Sequence, residues 1–247
     1  MIPISDSGLE RRRLPIVNVA FIAINVLVFL YELTLGGDRS VFYLTYGMIP
    51  DEFTSGSTFN LLRTPNGNMD ITTPFPTWGT IFSAMFLHGG LMHFGSNMLY
   101  LWIFGDNVES RMGHVPYFVF YLVAGVAASW AQIAVDPSSQ VPTIGASGAV
   151  AGVLGAYLMI FPFHKVRALV IFYFITVIRV PAALLLGVWL LLQFWSGLGT
   201  PVGQAGIAYW AHIGGFMTGM AAVALFRIIM RRPVWPGRPP PPAVPWR

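Results

Sequence analysis

One serine sits where almost nothing else can react: Ile144-Gly145-Ala146-Ser147-Gly148-Ala149-Val150-Ala151-Gly152. A hydroxyl at the head of an apolar run has two readings. Gly148 and Gly152 have the small-xxx-small spacing that lets membrane helices approach closely. Alternatively, Ser147 is a nucleophile at a helix N-terminus, with no bulk around it to block a substrate. The choice rests on what partners the chain supplies. His93 and Asn97 are four residues apart, so they share one face of a helix. His88 stands five before His93, at the entry to that helix. His212, Gly215 and Gly219 share a face of another helix, and that face can press against Gly148 and Gly152. Such a contact would bring the imidazole toward Ser147.

Serine and histidine within hydrogen-bond reach form the nucleophile–base pair of acyl transfer. An acidic third member often orients the imidazole. No Asp or Glu lies in the apolar runs 144–162, 181–195 or 206–229, so a dyad is expected, with His212 held by packing or by a neutral partner. Spacing alone does not choose among Tyr157, Tyr209 and Trp210. Acyl transfer also needs hydrogen-bond donors for the oxyanion. The candidates are the Ser147 backbone N–H at a helix start and the side chains of His93 and Asn97. Each polar residue also has a plain reading as glue between helices. Three histidines would suit zinc, but H-E-x-x-H is absent and no acid adjoins them, so neither metal nor cofactor is expected.

The elements that must position these groups are membrane helices. The chain is 55% hydrophobic and 10% charged, against about 25% charged in an ordinary soluble domain. Its apolar runs are continuous and long, which predicts an all-α polytopic bundle rather than a barrel of short alternating strands. The net charge of +4 is not a nucleic-acid signature, because the basic residues sit between spans and at the ends. The absence of cysteine removes disulfides and thiolate metal sites. The first apolar run has no convincing small-residue cleavage site and is expected to remain as an anchor.

Six spans are predicted, at about 15–35, 79–104, 115–135, 144–162, 181–195 and 206–229. Residues 1–14 read as a polar cytoplasmic tail, 15–230 as the six-span core, and 231–247 as a cytoplasmic tail made extended by Pro239–Pro242. Glu32 falls near the outer end of the first span, where it could snorkel to water. The 36–78 loop is apolar enough at Val41–Tyr46 and Phe53 to lie in the interface. Residues 168–178, between the fourth and fifth spans, read as interfacial or re-entrant, with one long kinked helix over 166–195 as the alternative. Glu109-Ser110-Arg111 reads as a solvated or interfacial helix end. With the N-terminus inside, twelve of the fourteen Lys and Arg fall on the inner side, so both termini are expected in the cytoplasm. The even-numbered spans then run inward, and Ser147, His212, His93 and Asn97 all fall toward the outer side of the bilayer. The glycine-rich loop Ser196–Gly206 lies where a lid over such a site would be. A solute transporter would be expected to show internal repeats, and none is evident.

The segments H-G-G-L-M-H-F-G-S-N (88–97), G-A-S-G (145–148) and A-H-I-G-G-F-M-T-G (211–219), in that order and in those spans, resemble the rhomboid intramembrane serine proteases. Gly105-Asp106-Asn107-Val108-Glu109 and Arg111 are similar to the family's end of the second span. The family's Trp-Arg pair is absent from the first loop, where Gly79 follows Trp78. The resemblance covers about 15–230 and implies a six-helix rhomboid-like bundle. It implies Ser147 as nucleophile, His212 as general base, and His93, Asn97 and the Ser147 backbone as oxyanion donors. His88, Gly145, Gly148, Gly215 and Gly219 are then structural or supporting. It implies single-span membrane proteins as substrates, cut near the outer face, in a lipid bilayer that is expected to be a bacterial cell membrane. A catalytically silent relative that binds membrane helices is the alternative.

Overall fold

The computed structural model describes residues 2–6, 14–64, 67–171, 175–201 and 206–236. The triple arginine Arg11–Arg13 and the proline run Pro239–Pro242 lie outside the described residues. In chain order the elements are β1 (Ile2–Asp6), α1 (Ile16–Thr34), α2 (Arg39–Tyr46), α3 (Pro50–Ser55), β2 (Leu61–Thr64), β3 (Gly67–Asp70), α4 (Thr80–Ala84), α5 (Leu91–Tyr100), α6 (Asp106–Met112), α7 (His114–Val135), α8 (Ser147–Ile160), β4 (Lys165–Ile171), β5 (Ile175–Pro181), α9 (Ala182–Gly199) and α10 (Tyr209–Ile229).

The protein is an integral, multi-pass helical membrane protein. Helices α1, α7, α9 and α10 are each long and apolar enough to cross a bilayer. Their exposed side chains include Leu27, Leu30, Val119, Leu191, Leu225 and Phe226, the surface expected against lipid. Helix α8 is different. It has 14 residues, and twelve of them are buried. At 1.5 Å per residue it is about 21 Å long, short of a hydrocarbon core of about 30 Å. A helix sheathed by others on every side need not match the lipid, so one end of it can stop inside the bundle.

Glycine sets how tightly the sheath closes. A methyl group added at Gly215 would overlap the Gly148 carbonyl, and one at Gly219 would overlap the Gly152 carbonyl. A methyl group at Gly155 would meet the Phe216 carbonyl. Helices α8 and α10 therefore touch backbone to backbone, along the face that the glycine spacing marks. On the other side, Ala124 and Ala128 of α7 fill the space above Gly152 and Gly148.

The second predicted span is broken. Helix α4 ends at Ala84, residues 85–90 form an irregular link, and α5 starts at Leu91. Gly89-Gly90 interrupts the apolar run, and Gly90 takes an extended conformation that ends helical hydrogen bonding before α5. Between α5 and α6 the helix widens by one residue per turn over Leu101–Gly105. Such a widening frees backbone carbonyls from the regular ladder. Here the Leu101 carbonyl accepts a hydrogen bond from Asn18 Nδ2 at 2.9 Å, and Tyr117 donates to Asn18 Oδ1 at 2.8 Å.

Two acidic residues are buried where the sequence placed them at a wet boundary. Glu109 is fully buried rather than solvated. Its carboxylate accepts the backbone N–H of Val17 at 3.0 Å and of Asn18 at 2.7 Å, and it contacts His114 Nδ1 at 2.5 Å. A carboxylate at a helix start satisfies orphan donors and faces the positive end of the dipole, and Glu109 does this for α1 across some 90 residues of sequence. Glu32 does not snorkel. It is fully buried, its Oε1 accepts the His88 N–H at 3.0 Å, and Arg39 Nε donates to its backbone carbonyl at 2.8 Å.

The region between α8 and α9 is not helical. Strands β4 and β5 form an antiparallel hairpin in continuous register from Lys165↔Pro181 to Ile171↔Ile175. Strands β4 and β5 are rich in Val and Ile, and residues 165–168 and 175–181 alternate exposed with covered positions, which suits a half-buried strand. The inner face presents Val166, Ala168 and Val180, all buried. Strand β1 adds to the β4 edge, so residues 2–6 are part of a three-stranded sheet and not a free tail. Asp6 then reaches into the bundle, where its Oδ2 accepts from Asn107 Nδ2 at 2.7 Å and from the Tyr157 hydroxyl at 3.1 Å.

The loop between α1 and α4 holds two short helices and the β2–β3 hairpin. It is stitched to the segment before α8. Met48 and Thr143 exchange backbone hydrogen bonds at 3.1 and 2.7 Å, and Asp51 N–H donates to the Ser139 carbonyl at 3.0 Å. Burial raises the Glu52 carboxyl above its usual range, partly offset by the Phe59 N–H that it accepts at 2.8 Å.

Candidate active site

Ser147 is the first residue of α8, and the N–H groups of this first turn have no acceptor within the helix. The strand-like approach to it is fixed on both sides. Thr143 pairs with Met48, and the Gly145 N–H donates to the Ala84 carbonyl at 2.8 Å. Gly145 has φ +125°, a conformation that strains any L side chain, and a Cβ there would run into the His93 ring. The glycine therefore serves two ends: it turns the chain into α8 and lets the His93 imidazole lie beside the serine.

His212 lies one turn into α10. The glycine contact between α8 and α10 carries its Nε2 to 2.8 Å from Ser147 Oγ. Its Nδ1 lies 2.7 Å from Gln193 Oε1 of α9. The Trp189 ring lies against one side of the imidazole at 5.9 Å, and Tyr209 meets it edge-on at 6.5 Å. The imidazole is thus held at both nitrogens and against its faces.

His93 and Asn97 share one face of α5, as their spacing requires, and both line the same cavity as Ser147 and His212. Asn97 uses one amide N–H within its own helix, donating to the His93 carbonyl at 2.9 Å, and one N–H remains. The cavity encloses about 890 Å³. Gln132, Asp136 and Ser139 border it at one end, Trp189 and Gln193 at another. This volume is large enough for a peptide segment and water.

His88 stands apart. It is fully buried off the cavity, packed edge-on against Phe29 and Phe94, and its ring is 5.1 Å from that of His93. Its backbone is what is clamped, through the N–H to Glu32 and the carbonyl that accepts the Tyr43 hydroxyl at 2.9 Å. Among the described residues no cluster of His, Cys, Asp or Glu is arranged to hold a metal ion. Tyr157 is at the far end of α8 on Asp6, and Trp210 packs on Phe194, so of the three aromatic residues left open by spacing only Tyr209 meets the imidazole. Part of the glycine-rich loop is already helix, since α9 runs to Gly199, and Val202–Ala205 lie outside the described residues.

Gln193 is the residue that the spacing of Ser, His and Asn does not reveal. A signal for it exists all the same. It is the only amide, hydroxyl or ionisable side chain between Ala182 and Trp195, and a lone polar group in a span requires a partner.

The rhomboid domain family model matches residues 76–228. Among curated proteins, the chain is 30% identical over 148 residues to "Rhomboid protein 1, mitochondrial" of Saccharomyces cerevisiae, covering 57% of this chain and 40% of that protein. It is 36% identical over 86 residues to "Rhomboid-like protein 11, chloroplastic" of Arabidopsis thaliana, covering 35% and 30% of the two chains. It is 37% identical over 83 residues to "Rhomboid protease GluP" of Bacillus subtilis, covering 34% and 16%. The matches thus span less than half the length of each of these relatives.

Proposed function

Since this chain belongs to the rhomboid family, we propose that it is an intramembrane serine endopeptidase working by a Ser147–His212 dyad. The observation that carries the proposal is the 2.8 Å contact between Ser147 Oγ and His212 Nε2 at the wall of a cavity set among membrane helices. The substrates are membrane proteins with a single span, cut near the outer face, and the lipid bilayer is the working medium. A bacterial cell membrane is the proposed setting; two relatives' names carry mitochondrial and chloroplastic, and a third relative comes from Bacillus subtilis.

In the first half-reaction Ser147 Oγ attacks the scissile carbonyl carbon while its proton passes to His212 Nε2. The carbonyl oxygen takes the negative charge. The Ser147 N–H, the remaining N–H of Asn97 and the His93 imidazole are the donors proposed to receive it, and removing one such donor typically costs about 10²–10³ in rate. When the C–N bond breaks, His212 returns the proton to the leaving amine. Water then repeats the sequence on the acyl-enzyme, with His212 again taking and returning a proton. The short α8 supports a route for that water. With its C-terminal end at one interface, its Ser147 end stops about 9 Å inside the other, below an open cavity rather than in lipid.

The test is reconstitution of the purified protein with a reporter that carries one membrane span. Wild type is expected to cleave it, and Ser147→Ala and His212→Ala are expected to lose cleavage with the fold intact. Cleavage that survives Ser147→Ala overturns the serine mechanism. Loss of wild-type cleavage in chelator would point to metal chemistry instead. A well-folded wild type that binds the reporter and never cleaves it would place the chain among helix-binding rhomboid-like proteins.

A further inference from the structure

We infer that Gln193 is a positioning residue for the general base, one that fixes the tautomer and the in-plane orientation of the His212 ring. This inference rests on the dyad proposed above. Its basis is the 2.7 Å approach of Gln193 Oε1 to His212 Nδ1.

A neutral imidazole carries one N–H, and an amide oxygen is an acceptor only. With Oε1 opposite Nδ1, the proton belongs on Nδ1, and the Nε2 lone pair faces Ser147 Oγ. That is the tautomer a base needs in order to take the serine proton. The opposite tautomer would place N–H against both Ser147 and the cavity, and would leave a lone pair facing the amide oxygen. Gln193 therefore performs the orienting task that a carboxylate performs in a triad, without its charge. As Oγ bonds to the substrate carbonyl carbon, its proton moves to Nε2 and the ring becomes imidazolium. The amide dipole then receives a stronger hydrogen bond from Nδ1–H. No proton passes to Gln193.

Two further features support the assignment. Trp189 and Gln193 are four apart on α9, so they present one face. One lies tilted against the His212 ring at 5.9 Å and the other meets its Nδ1, so a single helix contacts both the side and the edge of the imidazole. From Ala182 to Trp195 the rest of that helix is apolar, with Leu191, Leu192, Phe194 and Trp195 all exposed. An amide there would be costly without a partner. As glue between helices, such bonds contribute little to stability. Control of the tautomer is a larger effect, since the wrong one disables the base.

The experiment compares wild type, Gln193→Met and Gln193→Glu in the reconstituted cleavage assay, with nitrogen NMR of the His212 ring in protein labelled at histidine. Met keeps the length and bulk and removes the amide acceptor. It is expected to lower kcat about 10–100-fold, the scale seen when the partner that orients a metal-bound histidine is removed. KM should stay within about twofold and thermal stability near wild type. The wild-type ring should show a protonated Nδ1 and an unprotonated Nε2, and the Met variant a mixture. Glu retains the acceptor and adds charge that favours imidazolium, so its acid limb of kcat against pH should move to higher pH. Wild-type kcat and an unmoved pH profile in both variants would overturn the inference. So would a kcat loss in Gln193→Met with the wild-type tautomer intact, which would mean loss of packing only. If wild type itself does not cleave, the serine reading fails separately. The ring spectrum then still decides, because a mixed tautomer in wild type overturns the role of Gln193 and a single Nδ1–H tautomer supports it.

Discussion

The α-carbon of Gly215 lies directly against the carbonyl of Gly148, with no room for a methyl group between them. Ser147 precedes that carbonyl by one residue, and His212 precedes Gly215 by three. The distance between the two reacting atoms is therefore set by backbone contact rather than by side-chain packing. Gly215→Ala should push α10 away from α8. Overpacking of this kind costs about 1–3 kcal/mol. A shift of even 1 Å should lower turnover about 10²-fold. Thermal unfolding and cleavage rates measured together check this, and wild-type turnover would show that the helix contact can yield without disturbing the dyad.

The donors on α5 should act on turnover and not on substrate affinity. Asn97→Ala and His93→Ala are each expected to lower kcat about 10²–10³-fold with little change in KM. Asn97 also bonds within its own helix, so Asn97→Ala should be accompanied by an unfolding measurement. A change in KM alone would assign these residues to substrate binding.

Glu109 closes the start of α1 from a distant helix. Glu109→Ala leaves the backbone donors of Val17 and Asn18 unsatisfied inside the protein, at about 1–3 kcal/mol. The midpoint of thermal unfolding should fall by several degrees, and Glu109→Gln, which keeps one acceptor oxygen, should fall less. Equal stability of Glu109→Ala and wild type would show that this cap contributes nothing.

A pH effect on stability is expected from Glu52, which lies in the loop outside the spans. Burial raises its carboxyl in the folded protein, so the folded state holds that proton more tightly than the unfolded chain does. The resulting stabilisation is complete below the ordinary glutamate value of about 4.3 and is lost as pH rises through the folded value. Glu52→Gln keeps an acceptor for Phe59 N–H and removes the charge. Its midpoint at pH 7–8 should equal or exceed that of wild type, with a flatter dependence on pH between 4 and 7. An unaltered pH dependence in the variant would assign the effect to other groups.

Much of the bundle was legible because lipid imposes simple rules. Length and apolar continuity located α1, α7 and α10 within a few residues, and glycine spacing located the face between α8 and α10. The sequence also presented Ser147, His212, His93 and Asn97 as one set, since few polar residues interrupt the apolar runs. What it hid was long-range hydrogen bonding. Glu32 and Glu109 looked like boundary residues because their partners are backbone N–H groups of other segments, which carry no sequence mark. The β4–β5 hairpin was hidden because its β-branched, apolar residues suit a span or an interfacial segment as well as a strand, and its pairing partners lie in β1 and within the segment itself. Gln193 could have been found by asking what a lone amide bonds to. Its partner became visible only when α9 was packed beside α10.

The sheet of β1, β4 and β5 carries a constraint that involves no charge at all. Strands that share hydrogen bonds must lie on one side of the bilayer, so β1, β4 and β5 do. The chain between them must then cross an even number of times. Helices α1 and α7 account for two of those crossings by length alone. The broken α5–α6 stretch and the short α8 must therefore both cross, or neither. Parity ties the fate of the helix that begins with Ser147 to that of the helix that bears His93 and Asn97. Moving one charge at a loop to reverse either of them would have to tear β1 from β4.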